Sequence, residues 1–189
     1  MAIIVLDRDG VINYDSNAHI KSADEWTPLP GSIEAMAELS RAGHQLVIAT
    51  NQSGLALGLF DLDDLEAMHA KMRALVEDAG GEIAAIFYCP HSPEDNCRCR
   101  KPEPGLLDAI EAEFDTSLHG CYLVGDQLKD LHTALTKGCR PVLVRTGAGE
   151  GTLRQLLQQP DERLADTAVF DNLAQFAQFL LGTSPSGAQ

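Results

Sequence analysis

Ile3-Ile4-Val5-Leu6 runs without a break into Asp7-Arg8-Asp9-Gly10, and this junction constrains the fold more than any other part of the chain. A short, uninterrupted apolar run reads as a strand buried on both faces, as in a parallel sheet covered by helices. In open α/β sheets, ligands sit just beyond the carboxyl ends of such strands. Asp7 and Asp9 stand there. On an extended backbone both carboxylates would point to the same side, and Gly10 permits a sharp turn after them. Two carboxylates this close repel, so the position invites a divalent cation; hard oxygen ligands beside a substrate phosphate suit Mg²⁺. The plainer alternative is a solvated strand end carrying two ordinary aspartates.

The pattern recurs. Leu46-Val47-Ile48-Ala49 runs into Thr50-Asn51-Gln52-Ser53-Gly54, where a hydroxyl and exposed backbone N–H groups can donate to a phosphate oxygen. Ile83 to Tyr88 is a third strand and Pro141 to Val144 a fifth. Between them, Cys121-Tyr122-Leu123-Val124-Gly125-Asp126 is a fourth, ending in another carboxylate. Asp7, Asp9 and Asp126 are the candidate carboxylates for Mg²⁺, with a backbone carbonyl beside Asp7 and Asp126. Asp130 either orients that shell or favours a helix N-terminus. Lys129 reads as solvent-directed. Helices are expected from Ser32 to Gly43, Asp61 to Ala79, Gly105 to Phe114, Gln127 to Lys137, Thr152 to Gln158 and Asn172 to Leu181. In the second of these, Met68 and Met72 belong to an apolar stripe and read as core.

Tyr14 to Pro28, which holds the one tryptophan, Trp26, has no period and reads as a loop or short flap over the strand ends. Arg145 to Gly149 is glycine-rich without the spacing of a dinucleotide or phosphate loop, and reads as a plain loop. Thr167 to Phe170 is an edge strand. The alternation of strands and helices predicts an α/β fold: a Rossmann-like three-layer sandwich around a mostly parallel sheet, without a cap domain. Residues 1–182 form one domain and 183–189 a frayed tail.

Cys89, His91, Cys97 and Cys99 fall within eleven residues, just before Lys101. Three thiolates and an imidazole can close a tetrahedron around Zn²⁺, with no position left for water, so the expected role is to pin a loop. A chance group of thiols or a redox pair is the alternative. Lys101, between that loop and two prolines, is placed to meet a phosphate.

A formal charge of -14 argues against a nucleic-acid partner or an anionic membrane surface. It leaves room for a small phosphorylated substrate, because local charge governs a pocket. No apolar run reaches membrane-spanning length and no signal peptide is visible, so the expected compartment is the cytoplasm. No segment presents an unsatisfied apolar face, so a monomer is expected.

The order Asp7-Arg8-Asp9-Gly10-Val11, Thr50, Lys101, then Gly125-Asp126 with Asp130 resembles the four motifs of the haloacid-dehalogenase superfamily of phosphohydrolases. With the Cys89, His91, Cys97, Cys99 cluster, the chain is similar to the subfamily of heptose-bisphosphate and histidinol-phosphate phosphatases. Asp7 to Asn13, Thr50 to Gly54 and Cys99 to Pro102 look most like the heptose enzymes. The gap between His91 and Cys97 is shorter, which shortens the lip over the site. The resemblance implies that Asp7 attacks phosphorus, Asp9 serves as acid and base, and Thr50 and Lys101 hold phosphoryl oxygens. Asp9 suits that role if burial and the neighbouring Asp7 raise its pKa. It also implies loss of the C7 phosphate of a sugar bisphosphate, with Arg100 on the retained phosphate and Asn13, Asn51, Gln52, Ser53 and Lys101 as substrate contacts. Histidinol phosphate or another small phosphomonoester as substrate, a phosphotransferase or mutase using the same aspartates, and a non-catalytic metal-stabilised module are the competing readings.

Overall fold

The protein is described here by a computed structural model covering residues 2–182; the tail at 183–189 lies outside the described residues. Six strands form one sheet: β1 (Ile3–Leu6), β2 (Gln45–Asn51), β3 (Ala85–Cys89), β4 (Tyr122–Gly125), β5 (Arg140–Val144) and β6 (Ala168–Phe170). Their order is β3-β2-β1-β4-β5-β6 and every pairing is parallel, with Val5 opposite both Val47 and Leu123. The chain winds outward from β1 in one direction and from β4 in the other. The carboxyl ends of β1 and β4 therefore flank the switch point where such sheets bind ligands.

Side chains along the strands alternate between two cores. Ile4, Leu6, Leu46, Ile48 and Val124 face one side. There they meet Met36 and Leu39 of α1 (Ser32–Arg41), Met68 and Met72 of α2 (Leu62–Asp78), and Phe176 of α6 (Leu173–Leu181). Ile3, Val5, Val47, Ala49 and Leu123 face the other, under Leu106, Leu107 and Ile110 of α3 (Gly105–Phe114) and Ala134 of α4 (Leu128–Thr136). Each fully buried aliphatic side chain here contributes about 1.5–3 kcal/mol. Asp61 and Asp64 form a reciprocal capping box on α2, and Asn172 caps α6. Among the described residues no helix is long and apolar enough to cross a membrane.

Two segments differ from the sequence reading. The 14–28 segment is not wholly a flap: Trp26 is fully buried in the first core, and Lys71 Nζ donates to the carbonyls of Ala23 at 2.7 Å and Trp26 at 2.8 Å. One large apolar side chain in a polar stretch leaves no periodic signal, yet it anchors the segment. The α5 helix (Gly149–Gln158) begins three residues earlier than Thr152, at the end of the glycine-rich run. Gly149 is there for space, since a Cβ would collide with the Val144 carbonyl.

Candidate active site

Asp7, Asp126 and Asp130 meet beyond the ends of β1 and β4, with one ligand oxygen from each lying within 4.8 Å of the others. Lys101 reaches the same point from the loop before α3. Its Nζ lies 2.9 Å from Asp7 Oδ1 and 2.7 Å from Asp130 Oδ1, and the side chain is nearly inaccessible to solvent. Asn51, at the end of β2, clamps the lysine backbone: its Oδ1 accepts from the Lys101 N–H at 3.0 Å and its Nδ2 donates to the Lys101 carbonyl at 3.2 Å. Asp130 serves the helix N-terminus, as one of its two expected roles, and also pairs with Lys101. One oxygen pairs with Lys101; the other accepts from the N–H groups of Asp126 and Gln127 at the start of α4.

Asp126 is set by a loop that the sequence reading passed over. The Ala148 N–H donates to Asp126 Oδ2 at 2.8 Å, and Thr152 Oγ1 donates to the Asp126 carbonyl at 2.8 Å. Gly10 and Gly147 flank this carboxylate at φ 83° and 58°, and a Cβ at either would collide with it. Asp126 Oδ1 is buried with no hydrogen-bond partner among the described residues.

Three buried carboxylates thus stand beside a single ammonium, which pairs with two of them, Asp7 and Asp130. Burial raises the Asp7 pKa to about 6, with Asp130 and Asp9 adding to the rise and Lys101 opposing it. Burial and the charges of Asp7 and Asp130 push Asp126 up to about 8. The Lys101 pKa also rises: burial works against it, but Asp130 and Asp7 hold the proton. A set of hard oxygen donors short of positive charge, one of them unpartnered, fits a divalent cation such as Mg²⁺.

Asp9 stands apart from that group. Its carboxylate accepts from Arg8 Nε at 3.0 Å and Nη2 at 3.1 Å, from Asn13 Nδ2 at 2.8 Å and from Gln52 Nε2 at 2.9 Å. The rise in pKa that would suit an acid is not met here. Burial raises it, but the Arg8 charge and the Asn13 and Gln52 hydrogen bonds outweigh burial and lower it. Asn13 is fully buried, binds Asp9 and the Tyr14 carbonyl, and does not line the cleft. It supports Asp9 and does not face a sugar. Arg8, given no role from sequence, is itself fully buried.

A cleft of about 230 Å³ opens above these groups. Of the residues expected there, Asp7, Asp9, Thr50, Asn51, Gln52, Ser53 and Arg100 line it. Thr50 Oγ1 accepts from Gln52 Nε2 at 2.9 Å, which leaves its proton free to donate. Lys129 also lines the cleft, contrary to the solvent-directed reading, because the first turn of α4 turns it inward over the strand ends. The overhanging part of the 14–28 segment supplies Asp15 and His19, whose Nε2 lies 3.4 Å from Ser53 Oγ.

Cys89, His91, Cys97 and Cys99 converge beside the cleft with ligand atoms within 4.8 Å of one another. Cys89 and Cys99 Sγ are 3.2 Å apart, and Cys97 Sγ is 3.6 Å from each. His91 Nδ1 is 3.2 Å from Cys99 Sγ. A tetrahedral zinc site with bonds near 2.3 Å has edges of roughly 3.5–3.8 Å, so the donor set and spacing fit. The Arg100 N–H donates to Cys97 Sγ at 3.3 Å, which ties the cluster to the residue before Lys101. Cys139 is buried as an apolar side chain and is not one of the four converging ligands.

Comparison with known proteins agrees with this geometry. Residues 1–135 match the model of the haloacid dehalogenase-like hydrolase family, and residues 98–176 match a second, HAD-hydrolase-like model. The chain is 51% identical over 181 residues to a D-glycero-beta-D-manno-heptose-1,7-bisphosphate 7-phosphatase of Pseudomonas putida, covering 96% of this chain and 100% of that protein. The enzyme of the same name from Neisseria meningitidis serogroup A is 46% identical, covering 96% and 95%. Among solved structures, the D,D-heptose 1,7-bisphosphate phosphatase of B. bronchiseptica, complexed with magnesium and phosphate, superimposes with a TM-score of 0.91 at 49% identity, over 96% of this chain and 99% of that one. The corresponding enzyme of Burkholderia thailandensis gives a TM-score of 0.74 at 38% identity, over 97% and 100%. With its parallel sheet, its carboxylates at the ends of β1 and β4, and relatives that are phosphatases over nearly their whole length, this chain belongs to the haloacid dehalogenase-like hydrolase family and is a phosphatase.

Proposed function

We propose that this chain hydrolyses D-glycero-β-D-manno-heptose 1,7-bisphosphate at C7, giving inorganic phosphate and the heptose 1-phosphate. The observation that carries the reading is the buried Asp7, Lys101, Asp126 and Asp130 cluster, which meets a polar cleft through Asp7, in a chain 51% identical to a heptose-bisphosphate phosphatase over 96% of its length.

A phosphate monoester resists attack because its oxygens repel a nucleophile, so the site must offset charge and position the attack. Asp7 attacks phosphorus and forms an aspartyl-phosphate as the sugar oxygen leaves. Lys101 stays protonated between Asp7 and Asp130, buried behind the cleft lining, and offsets phosphoryl charge from there, while the Thr50 hydroxyl, which lines the cleft, donates to a phosphoryl oxygen. When bound by Asp7 and Asp126, with Asp130 behind them, Mg²⁺ would offset the remaining phosphoryl charge. Asp9 delivers a proton to the departing sugar oxygen and then takes one from the water that clears the intermediate. It is ionised at rest, and the incoming phosphate dianion favours its protonation by like-charge repulsion. Arg100 takes the retained C1 phosphate by a bidentate contact, with Lys129 across the cleft. The Cys89, His91, Cys97 and Cys99 loop holds structural Zn²⁺ and presents Arg100 and Lys101. On this reading the product feeds heptose into the lipopolysaccharide core.

The test is the specificity constant, with Mg²⁺, for both anomers of the heptose bisphosphate beside histidinol phosphate. A preference of about 100-fold or more for the β-anomer is expected, the scale a site reaches when a substrate group leaves its polar partners unpaired. Preference for histidinol phosphate would keep the chemistry and overturn the substrate.

A further inference from the structure

α2 buries Leu65, Met68, His69, Met72 and Val76, so His69 is the one polar side chain on an otherwise apolar face. A buried imidazole costs stability unless something binds it. Its hydrogen-bond partner among the described residues is Arg8, whose Nη1 lies 3.4 Å from His69 Nε2. The Tyr88 ring closes the other side, with centroids 6.2 Å apart. A guanidinium only donates, so His69 Nε2 is the acceptor and the imidazole is neutral with its proton on Nδ1.

Arg8 is fully buried and held on three sides. Nε and Nη2 form a fork on Asp9, Nη2 also reaches Gln52 Oε1 at 3.1 Å, and Nη1 points to His69. His69 holds the one nitrogen that the fork leaves over, and so fixes the plane of the guanidinium. That plane, together with the Asn13 and Gln52 hydrogen bonds, sets where the Asp9 oxygens point. We propose that His69, acting through Arg8, is a positioning residue for Asp9, aligning its carboxylate with the leaving sugar oxygen. The inference rests on the acid–base assignment of Asp9 made above.

The test compares two substrates in the first turnover with Mg²⁺ present. A sugar phosphate needs a proton on its leaving oxygen; p-nitrophenyl phosphate releases a stable phenolate and does not. His69→Ala should slow release from the heptose bisphosphate by about 10-fold, the scale of a modest misalignment, while p-nitrophenolate release stays within about twofold. His69→Gln, which keeps an acceptor at similar reach, should restore the sugar reaction to within about threefold. Asp9→Asn, run in parallel, should show the same selectivity with a loss of roughly 10² or more. Equal slowing on both substrates by His69→Ala, no slowing, or failure of His69→Gln to rescue a variant whose Tm is unchanged would overturn the proposal. If Asp9→Asn shows no selectivity, the Asp9 assignment fails first, and that result is distinct from a failure at His69 alone.

Discussion

Asp7→Asn lowers phosphate release by roughly 10⁴-fold or more, the scale seen when an enzyme loses its nucleophile. The amide is nearly the same shape, so the loss is chemical and the fold is kept. Asp7 sits at the end of β1 with its N–H bonded to the Val124 carbonyl at 2.9 Å, so its backbone is fixed by the sheet and not by its charge. Its Oδ1 accepts from the Arg8 N–H at 2.7 Å and pairs with Lys101 at 2.9 Å. An asparagine oxygen can keep both contacts, yet the side chain can no longer attack phosphorus. The variant should still bind inorganic phosphate, measured by titration calorimetry, because Lys101 and Thr50 are untouched. Near-normal turnover by Asp7→Asn would remove the aspartate from the reaction.

The second large effect is on the thiolate cluster. Cys97→Ser should cut bound zinc, measured by elemental analysis, to well under half an equivalent. It should lower the Tm by about 10 °C, or roughly 3 kcal/mol for a chain of this size. The loop from Pro90 to Lys101 contains a short 3₁₀ turn at Pro93–Asp95 and contributes little to either core, so apart from buried Lys101 at its end the four ligands are what anchors it. Activity should fall with the metal, because Arg100 donates its N–H to Cys97 Sγ and Lys101 follows directly. Unchanged metal content would contradict a zinc site.

The sheet and the floor of the site were legible because their signals are local. A strand buried on both faces must be apolar throughout, so Ile3 to Leu6, Leu46 to Ala49 and Leu123 to Val124 declare themselves, and the carboxylate or hydroxyl after each marks the ligand edge. The cysteine spacing is equally local. What sequence left out depends on contacts between distant segments. The acidity of Asp9 rests first on the neighbouring Arg8 charge and the Asn13 hydrogen bond, but Gln52 adds to both, and Arg8 itself meets His69, 61 residues away. Asp126 takes a hydrogen bond from Ala148, 22 residues on. One signal was available: Gly147-Ala148-Gly149 follows the apolar end of β5 as Asp9-Gly10 follows β1, which places it at the same sheet edge. Lys129 was misread because a lysine in a first helical turn is usually solvated, and only the placement of α4 over the strand ends turns it into the cleft.

Trapping the covalent intermediate tests the central claim most directly. Enzyme turning over the heptose bisphosphate with Mg²⁺ is quenched in acid, reduced with borohydride and sequenced by mass spectrometry. An aspartyl-phosphate reduces to homoserine, and the account predicts that residue in place of Asp7 and nowhere else. Homoserine at position 9, or none at any aspartate while turnover is rapid, would contradict it.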